Sequence, residues 1–485
     1  MAKGKIVKNY IYNTSYQIIL VIAPLITSPY IARVLGVTGV GVVNYAYSIV
    51  TYFVLFGTMG SSLYGQREIA YYQDNPKKRT SILIEIMMFR ALTIAISIMV
   101  YCLNVVQKGR YPAVYLLMLP ELVAMAFDVS WFFQGMEDFK KTVIRNLLVK
   151  IAGIALIFIL VKSPEDISKY AICLTLPTLI GNISLWIYLP KYVVKVSVSF
   201  RSVIKHIKPI LVLFIPQIAM EVYTVLDKTM IGSMATNIDE VGYYTYSQHI
   251  VKMLLQLITS LGIVMLPVMA NAFAKEKYNE IADMMGNSMK FVFAVGCPMM
   301  FGISAVARNL VSWFYGKGYE PVSKLIIITS PIILIIGISN ITGRQFLLPT
   351  KRQLAFTTSV IAGAVVNFIF NLVLIPRYGA IGASIATVIA EMVVSAIQIA
   401  LTIKLLPYHK YLIANIKYLF YGAIMFIPCY ILGFNVSGIT GTLVQIIVGV
   451  MIYISLLLLT KDEVLFKCVR IILKDKKVNK IKKPL

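Results

Sequence analysis

Fourteen stretches of about twenty mainly apolar residues follow one another along this chain. They lie near 10–32, 40–62, 81–104, 113–135, 143–162, 169–190, 209–233, 242–268, 288–314, 323–347, 354–376, 380–405, 416–434 and 441–460. A helix needs about that length to cross the ~30 Å hydrocarbon core of a bilayer. Lipid offers no hydrogen bonds to a backbone, so only helices and closed barrels can span it. Runs of about twenty rather than ten residues favour helices. The expected fold is an all-α integral membrane protein with 14 transmembrane helices. Composition agrees: 14% of the 485 residues are charged and 59% are hydrophobic, whereas a soluble domain is about one-quarter charged.

The charges are unequal, with 46 Lys and Arg against 21 Asp and Glu. In a soluble protein that excess would suggest nucleic acid. Here the basic residues crowd into alternate loops, such as 63–80, 191–208 and the tail from Lys461. The loops SPEDIS (163–168) and ATNIDEV (235–241) carry no Lys or Arg. The positive-inside rule then places both termini in the cytoplasm and removes the need for a nucleic-acid partner. The basic start MAKGKIVKNY leads into a run long enough to span, with no small-residue cleavage site after it, and is expected to be a retained first helix. Five Cys occur singly and three His are scattered. Neither a disulfide framework nor a metal site is expected from them.

Two segments resemble each other. GVVNYAYSIV (41–50) and GYYTYSQHIV (242–251) match at Gly41/Gly242, Tyr45/Tyr246, Ile49/Ile250 and Val50/Val251. Each opens the second helix of a six-helix block. An even number of spans per block gives two lobes of equal orientation, as in parallel-repeat transporters. The expected divisions are an N-terminal lobe (1–208), a C-terminal lobe (209–415), two further helices (416–460) and a basic cytoplasmic tail (461–485).

Several spans carry polar residues at helical spacing. On the twelfth, Ser384, Thr387, Glu391, Ser395 and Gln398 share one face, with Gly382, Ala383, Ala386 and Ala390 opposite. The seventh carries Gln217, Glu221, Thr224 and Lys228, and the eighth Thr245, His249, Lys252, Gln256 and Thr259. The third carries Arg90, the fourth Glu121 and Asp128, and the ninth Lys290, Ser304 and Arg308. Charged faces inside a bilayer line a hydrated cavity or pair within the bundle. Lys290 and Arg308 have a third option near the helix ends, where long side chains snorkel. The candidate cavity and substrate-binding residues are therefore Arg90, Glu121, Asp128, Glu221, Lys228, Lys252, Lys290 and Glu391. The loops are short and hold no acid–base or metal cluster, so an enzyme is not expected.

Four motifs carry a resemblance: PYIARVLGVTGVG (29–41), WFFQGMEDFKK (131–141), FLLPTKRQ (346–353) and NLVLIPRYGAIGASIATVIAE (371–391). In these the chain resembles the Wzx-type polysaccharide-unit flippases of the multidrug/oligosaccharidyl-lipid/polysaccharide exporter superfamily. The likeness runs through the first twelve spans in order. It implies two six-helix lobes around a central cavity and alternating access in a bacterial cell membrane. The implied cargo is an oligosaccharide on a polyprenyl pyrophosphate, such as a capsule repeat unit. A teichoic acid precursor would suit equally, and a drug or small-solute antiporter is the nearest alternative on the same fold. Membrane lipids and a glycan polymerase are the implied partners. No cofactor is expected beyond a sodium or proton gradient. Arg90, Lys228 and Lys252 would hold the pyrophosphate, while Glu221 and Glu391 would keep the empty site from being over-attractive or bind a coupling cation or proton, and Glu391 could instead hydrogen-bond sugar. Tyr residues of NYAYS and GYYTYS would stack on sugar rings or lie in the interfacial belt.

Overall fold

A computed structural model describes residues 2–463, with side chains from Ile22 onward except for a few in the middle of two helices. The basic tail beyond residue 463, including Cys468, lies outside the described residues. The elements are α1 (Ala2–Thr58), α2 (Ser61–Tyr71), α3 (Pro76–Tyr101), α4 (Pro112–Ala126), α5 (Ser130–Gly135), α6 (Phe139–Leu160), α7 (Ile167–Ser184) and α8 (Ile204–Met234). They continue as α9 (Asp239–Ala274), α10 (Tyr278–Phe314), α11 (Glu320–Thr329), α12 (Ile332–Asn340), α13 (Gln353–Thr402), α14 (Tyr408–Asn415), α15 (Lys417–Asn435) and α16 (Gly438–Leu459). Among the described residues there is no β-strand, and eleven helices are long and apolar enough to cross a membrane.

Two long helices contain a single-residue break. Gly36 (φ +67°) interrupts α1 and Gly379 (φ +52°) interrupts α13. Glycine adopts this left-handed region without the Cβ penalty. The segments before and after each break match separate predicted spans, and what the sequence shows as a gap of a few residues is a kink rather than a loop. The predicted inner loop 63–80 is also more ordered than expected, because α2 fills its first half. The structure starts α3 at Pro76, with Asn75 capping the Lys78 N–H at 3.0 Å. Pro at the first helical position and Asn at the cap suit the unpaired N–H groups there.

The residues group into two compact units, 1–246 with 368–383, and 247–367 with 384–485. In the first, Trp131, Phe132 and Phe133 are buried with Tyr64, Ile69, Ile82, Ile86, Leu185 and Ile210. Gly65 lets α2 approach this core, since a Cβ there would lie 2.4 Å from the Trp131 ring. The WFFQGMEDFKK motif is thus a packing device that seats α5 on α2. Its turn closes through Asp138 N–H donating to Phe133 O at 2.8 Å, with Glu137 at positive φ. FLLPTKRQ closes in the same way, Arg352 N–H donating to Leu347 O at 2.9 Å with Lys351 at positive φ.

The same unit contains a close helix crossing. A Cβ on Gly41 would lie 2.4 Å from Ile238 O, and one on Gly242 would lie 2.6 Å from Val37 O. Val37 and Ile238 each precede their glycine by four residues, so the contact is reciprocal. The acids at the start of α9 serve two other helix starts. Thr38 Oγ1 donates to Asp239 at 2.6 Å, and Ala380 N–H donates to Glu240 at 2.8 Å just past the Gly379 break. Carboxylates are favoured at such ends by the helix dipole.

In the second unit α15 and α16 pack on α10. Gln445 donates to Ala305 O at 3.0 Å and Cys429 O at 2.8 Å, and accepts from Asn309 at 2.9 Å. Tyr453 donates to Ala294 O at 2.8 Å. Each bond spares a polar group from hydrocarbon, where leaving it unmade costs several kcal/mol, on the order of 4–8 by transfer.

Candidate functional site

The first unit holds five of the eight candidates, and they fall into two settings. Arg90 is 1% exposed. Its guanidinium donates to Asp128 O at 3.1 Å and lies 3.5 Å from the Asp128 carboxylate. Arg145 approaches the same carboxylate at 3.9 Å and donates to Asn182 at 2.7 Å. The position of Asp128 follows from the chain path. The residues between α4 and α5 leave the helix, and Asp128 turns them by accepting from Ser130 N–H at 2.9 Å while its carbonyl takes Trp131 Nε1–H at 3.0 Å. Arg90 and Asp128 are therefore brought together, in the interior and against the aromatic core.

The other three lie around the Tyr47 side of the unit. Glu121 is buried close to the Tyr47 hydroxyl, and Glu221 is within electrostatic reach of it. Tyr47 is 39% exposed and Glu221 is exposed. Lys228, half-buried, donates to Asn44 at 3.2 Å, and one residue on Thr229 donates to Ser48 at 2.9 Å. Asn44 and Ser48 of the second span thus meet the predicted stripe of the seventh.

The second unit holds Lys252, Lys290 and Glu391. Lys252 is exposed on α9. Lys290 of α10 is 2.8 Å from Glu463, which lies just past the end of α16. Glu391 is buried on α13, as are Ser384, Thr387, Ser395 and Gln398 of its stripe. Gln398 donates to Ser359 at 3.0 Å. Ala383, Ala386 and Ala390 are also fully buried, while Met392 (46%) and Leu401 (50%) are exposed. Beyond the Gly379 break, the polar face of this helix points into protein and only its apolar positions face outward.

Stripe reading missed Asp227. It is 7% exposed on α8, accepts from Asn371 at 2.7 Å, and takes a short hydrogen bond from the Tyr244 hydroxyl. Asp227 sits about 100° round the helix from Lys228, off the stripe that drew attention. The signal that would have found it is the pair Asn367 and Asn371, four residues apart in an apolar run and both fully buried. Glu85 and His206 were also passed over. They are 2.6 Å apart in space but 121 positions apart in sequence. Among the described residues no group of three or more His, Cys, Asp or Glu is placed to hold a metal.

A family model described as polysaccharide biosynthesis protein matches residues 6–273. A putative O-antigen transporter of Escherichia coli (strain K12) is 23% identical over 397 residues, covering 81% of this chain and 95% of that protein. Among solved structures, the lipid II flippase MurJ in an inward closed conformation superposes with a TM-score of 0.73 at 16% identity. That match covers 94% of this chain and 100% of the other. An inward-facing multidrug resistance MATE transporter of the MOP superfamily gives 0.61 at 13% identity, covering 79% and 94%.

Proposed function

This chain belongs to the polysaccharide biosynthesis protein family, a Wzx-type membrane transporter of the MOP superfamily, and we propose that it flips polyprenyl-pyrophosphate-linked oligosaccharides by alternating access. The cargo would be a precursor of a capsule or another surface polysaccharide, and a glycan polymerase would use the product. The observation that carries this reading is the exposure of charge deep within long helices. Glu221 lies 17 residues into α8 and Lys252 lies 13 residues into α9, roughly 25 and 20 Å along their axes. Charges at such depth do not face lipid and line a hydrated space.

We place the pyrophosphate with Lys228, because an anion leaving water needs fixed cations or donors, and Lys252 is a second candidate cation. Arg90 would join them only by leaving Asp128. Glu121, Glu221 and Tyr47 offer hydroxyl and carboxylate partners for sugar. Asp227 and Glu391, both buried, are the carboxylates suited to a coupling sodium ion or proton. Fourteen crossings follow if the breaks at Gly36 and Gly379 divide two of the eleven apolar helices and α8 supplies one more. The reciprocal Gly41/Gly242 crossing and the matching turns at 136–138 and 350–352 support two repeated lobes, and the basic loops support cytoplasmic termini.

Deleting the gene in its host tests the reading. Surface glycan should be lost while the lipid-linked precursor accumulates on the inner leaflet. Normal glycan with no precursor build-up would contradict it.

A further inference from the structure

Glu85 is a carboxylate 2% exposed on α3, for which the transport reading has no use. It is gripped from two directions. Ser81, one turn earlier, donates to Oε1 at 2.9 Å. From the start of α8, Lys205 Nζ at 2.8 Å and His206 Nε2 at 2.6 Å both reach Oε2. His206 is itself 3% exposed, and its Nδ1 lies 2.7 Å from the Tyr64 hydroxyl of α2. One carboxylate therefore ties three helices.

What lies between α7 and α8 is fastened to the same helices. Residues 193–199 have no regular secondary structure, and a segment of that kind is ordinarily among the first to open. Arg79, at the start of α3, donates twice to Tyr192 O, at 2.8 and 3.1 Å. Lys141 of α6 reaches the Tyr192 hydroxyl at 2.6 Å and Asp138 at 2.7 Å, and lies 4.3 Å over the Tyr192 ring. The Tyr192 hydroxyl completes the circuit by donating to Asp138 at 2.9 Å. Val194 N–H donates to Thr80 Oγ1 at 3.2 Å. Leu185, Leu189 and Val203 enter the core around Trp131.

We propose that residues 185–206 form a strap locked to α2, α3, α5 and α6, with Glu85 as its terminal clasp. This strap joins the first six predicted spans to the remainder of the chain. It travels with the first set through the transport cycle. A loose connection would let the two parts of the chain move independently. A clasped strap gives them a fixed origin for rotation.

The inference rests on the alternating-access reading, and its test separates the two. In a variant with all five native Cys replaced, Thr80→Cys and Val194→Cys are introduced together and oxidised. The disulfide should form, and flipping in proteoliposomes should stay within twofold of the reduced protein. A drop of tenfold or more on oxidation, reversed by reductant, would overturn the strap, as would failure of the disulfide to form. A reduced parent that flips nothing would instead count against the functional reading. A second measurement needs no cargo. Val203→Cys is placed at a position 4% exposed and labelled with a water-soluble thiol reagent. Adding Glu85→Ala should raise the labelling rate at least fivefold, and Glu85→Gln should raise it less. An unchanged rate in the Ala variant would show that Glu85 clasps nothing.

Discussion

Replacing Arg90 by Met removes a guanidinium from beside a carboxylate that stays buried. Breaking a buried ion pair in this way costs about 3–5 kcal/mol, mostly through the charge left behind. Here Arg145 remains 3.9 Å from Asp128, so the loss for Arg90→Met should fall near the lower end, about 3 kcal/mol. Asp128→Ala strands two guanidinium groups and removes the acceptor for Ser130 N–H. It should cost more, about 5 kcal/mol. Arg90→Met with Asp128→Asn keeps the turn acceptor and removes both charges. It should recover a large part of the single losses, and with Asp128→Asn alone closing the double-mutant cycle the coupling should be at least ~1 kcal/mol. The assay is the melting temperature of each purified variant in one detergent, set beside flipping per inserted molecule. The expected order of stability is wild type, double variant, Arg90→Met, Asp128→Ala. An Arg90→Met protein that melts with the wild type yet does not flip would refute this reasoning. Its charge would then act on cargo and not on Asp128.

Other outcomes follow from the same geometry. Gly41→Ala puts a methyl 2.4 Å from Ile238 O, and backbone must move, so melting should fall by the equivalent of about 1–3 kcal/mol. Trp131→Ala leaves a cavity in the core of the first unit and should cost about 3–5 kcal/mol, read by the same melting assay. Asp227→Asn retains a side-chain oxygen able to accept from Asn371 and Tyr244. It should still insert and stay folded, while the dependence of flipping on sodium or pH disappears. An unchanged ion dependence would move the coupling role elsewhere.

The helical architecture was legible because a bilayer leaves so few ways to satisfy a backbone. Apolar length alone marks the spans, whereas the start of α3 at Pro76, capped by Asn75, falls in a stretch that reads as loop. What the sequence hides is how the segments join. Gly36 and Gly379 look like loop residues, yet each only kinks a continuous path, because glycine turns the chain in one residue. Periodicity exposed the stripes of α8 and α13, since a polar face repeats every three to four residues. It was silent on partners. Arg90 and Asp128 were each singled out, but nothing in their spacing says that they neutralise each other. Asp227 escaped notice because its bonding groups come from α9 and α13. Glu85 and His206 are joined by folding across more than a hundred residues, which no local pattern records.

The central claim is that this protein moves a pyrophosphate-linked glycan through a hydrated path, with Lys228 and Lys252 as its candidate cations. The most direct measurement places the purified protein in liposomes with a fluorescent polyprenyl-pyrophosphate oligosaccharide and follows its quenching from outside. The protein should raise the transbilayer rate at least tenfold over empty liposomes, and Lys228→Ala with Lys252→Ala should remove most of that gain. No acceleration of the glycolipid, together with gradient-driven export of small organic cations by the same liposomes, would contradict the account.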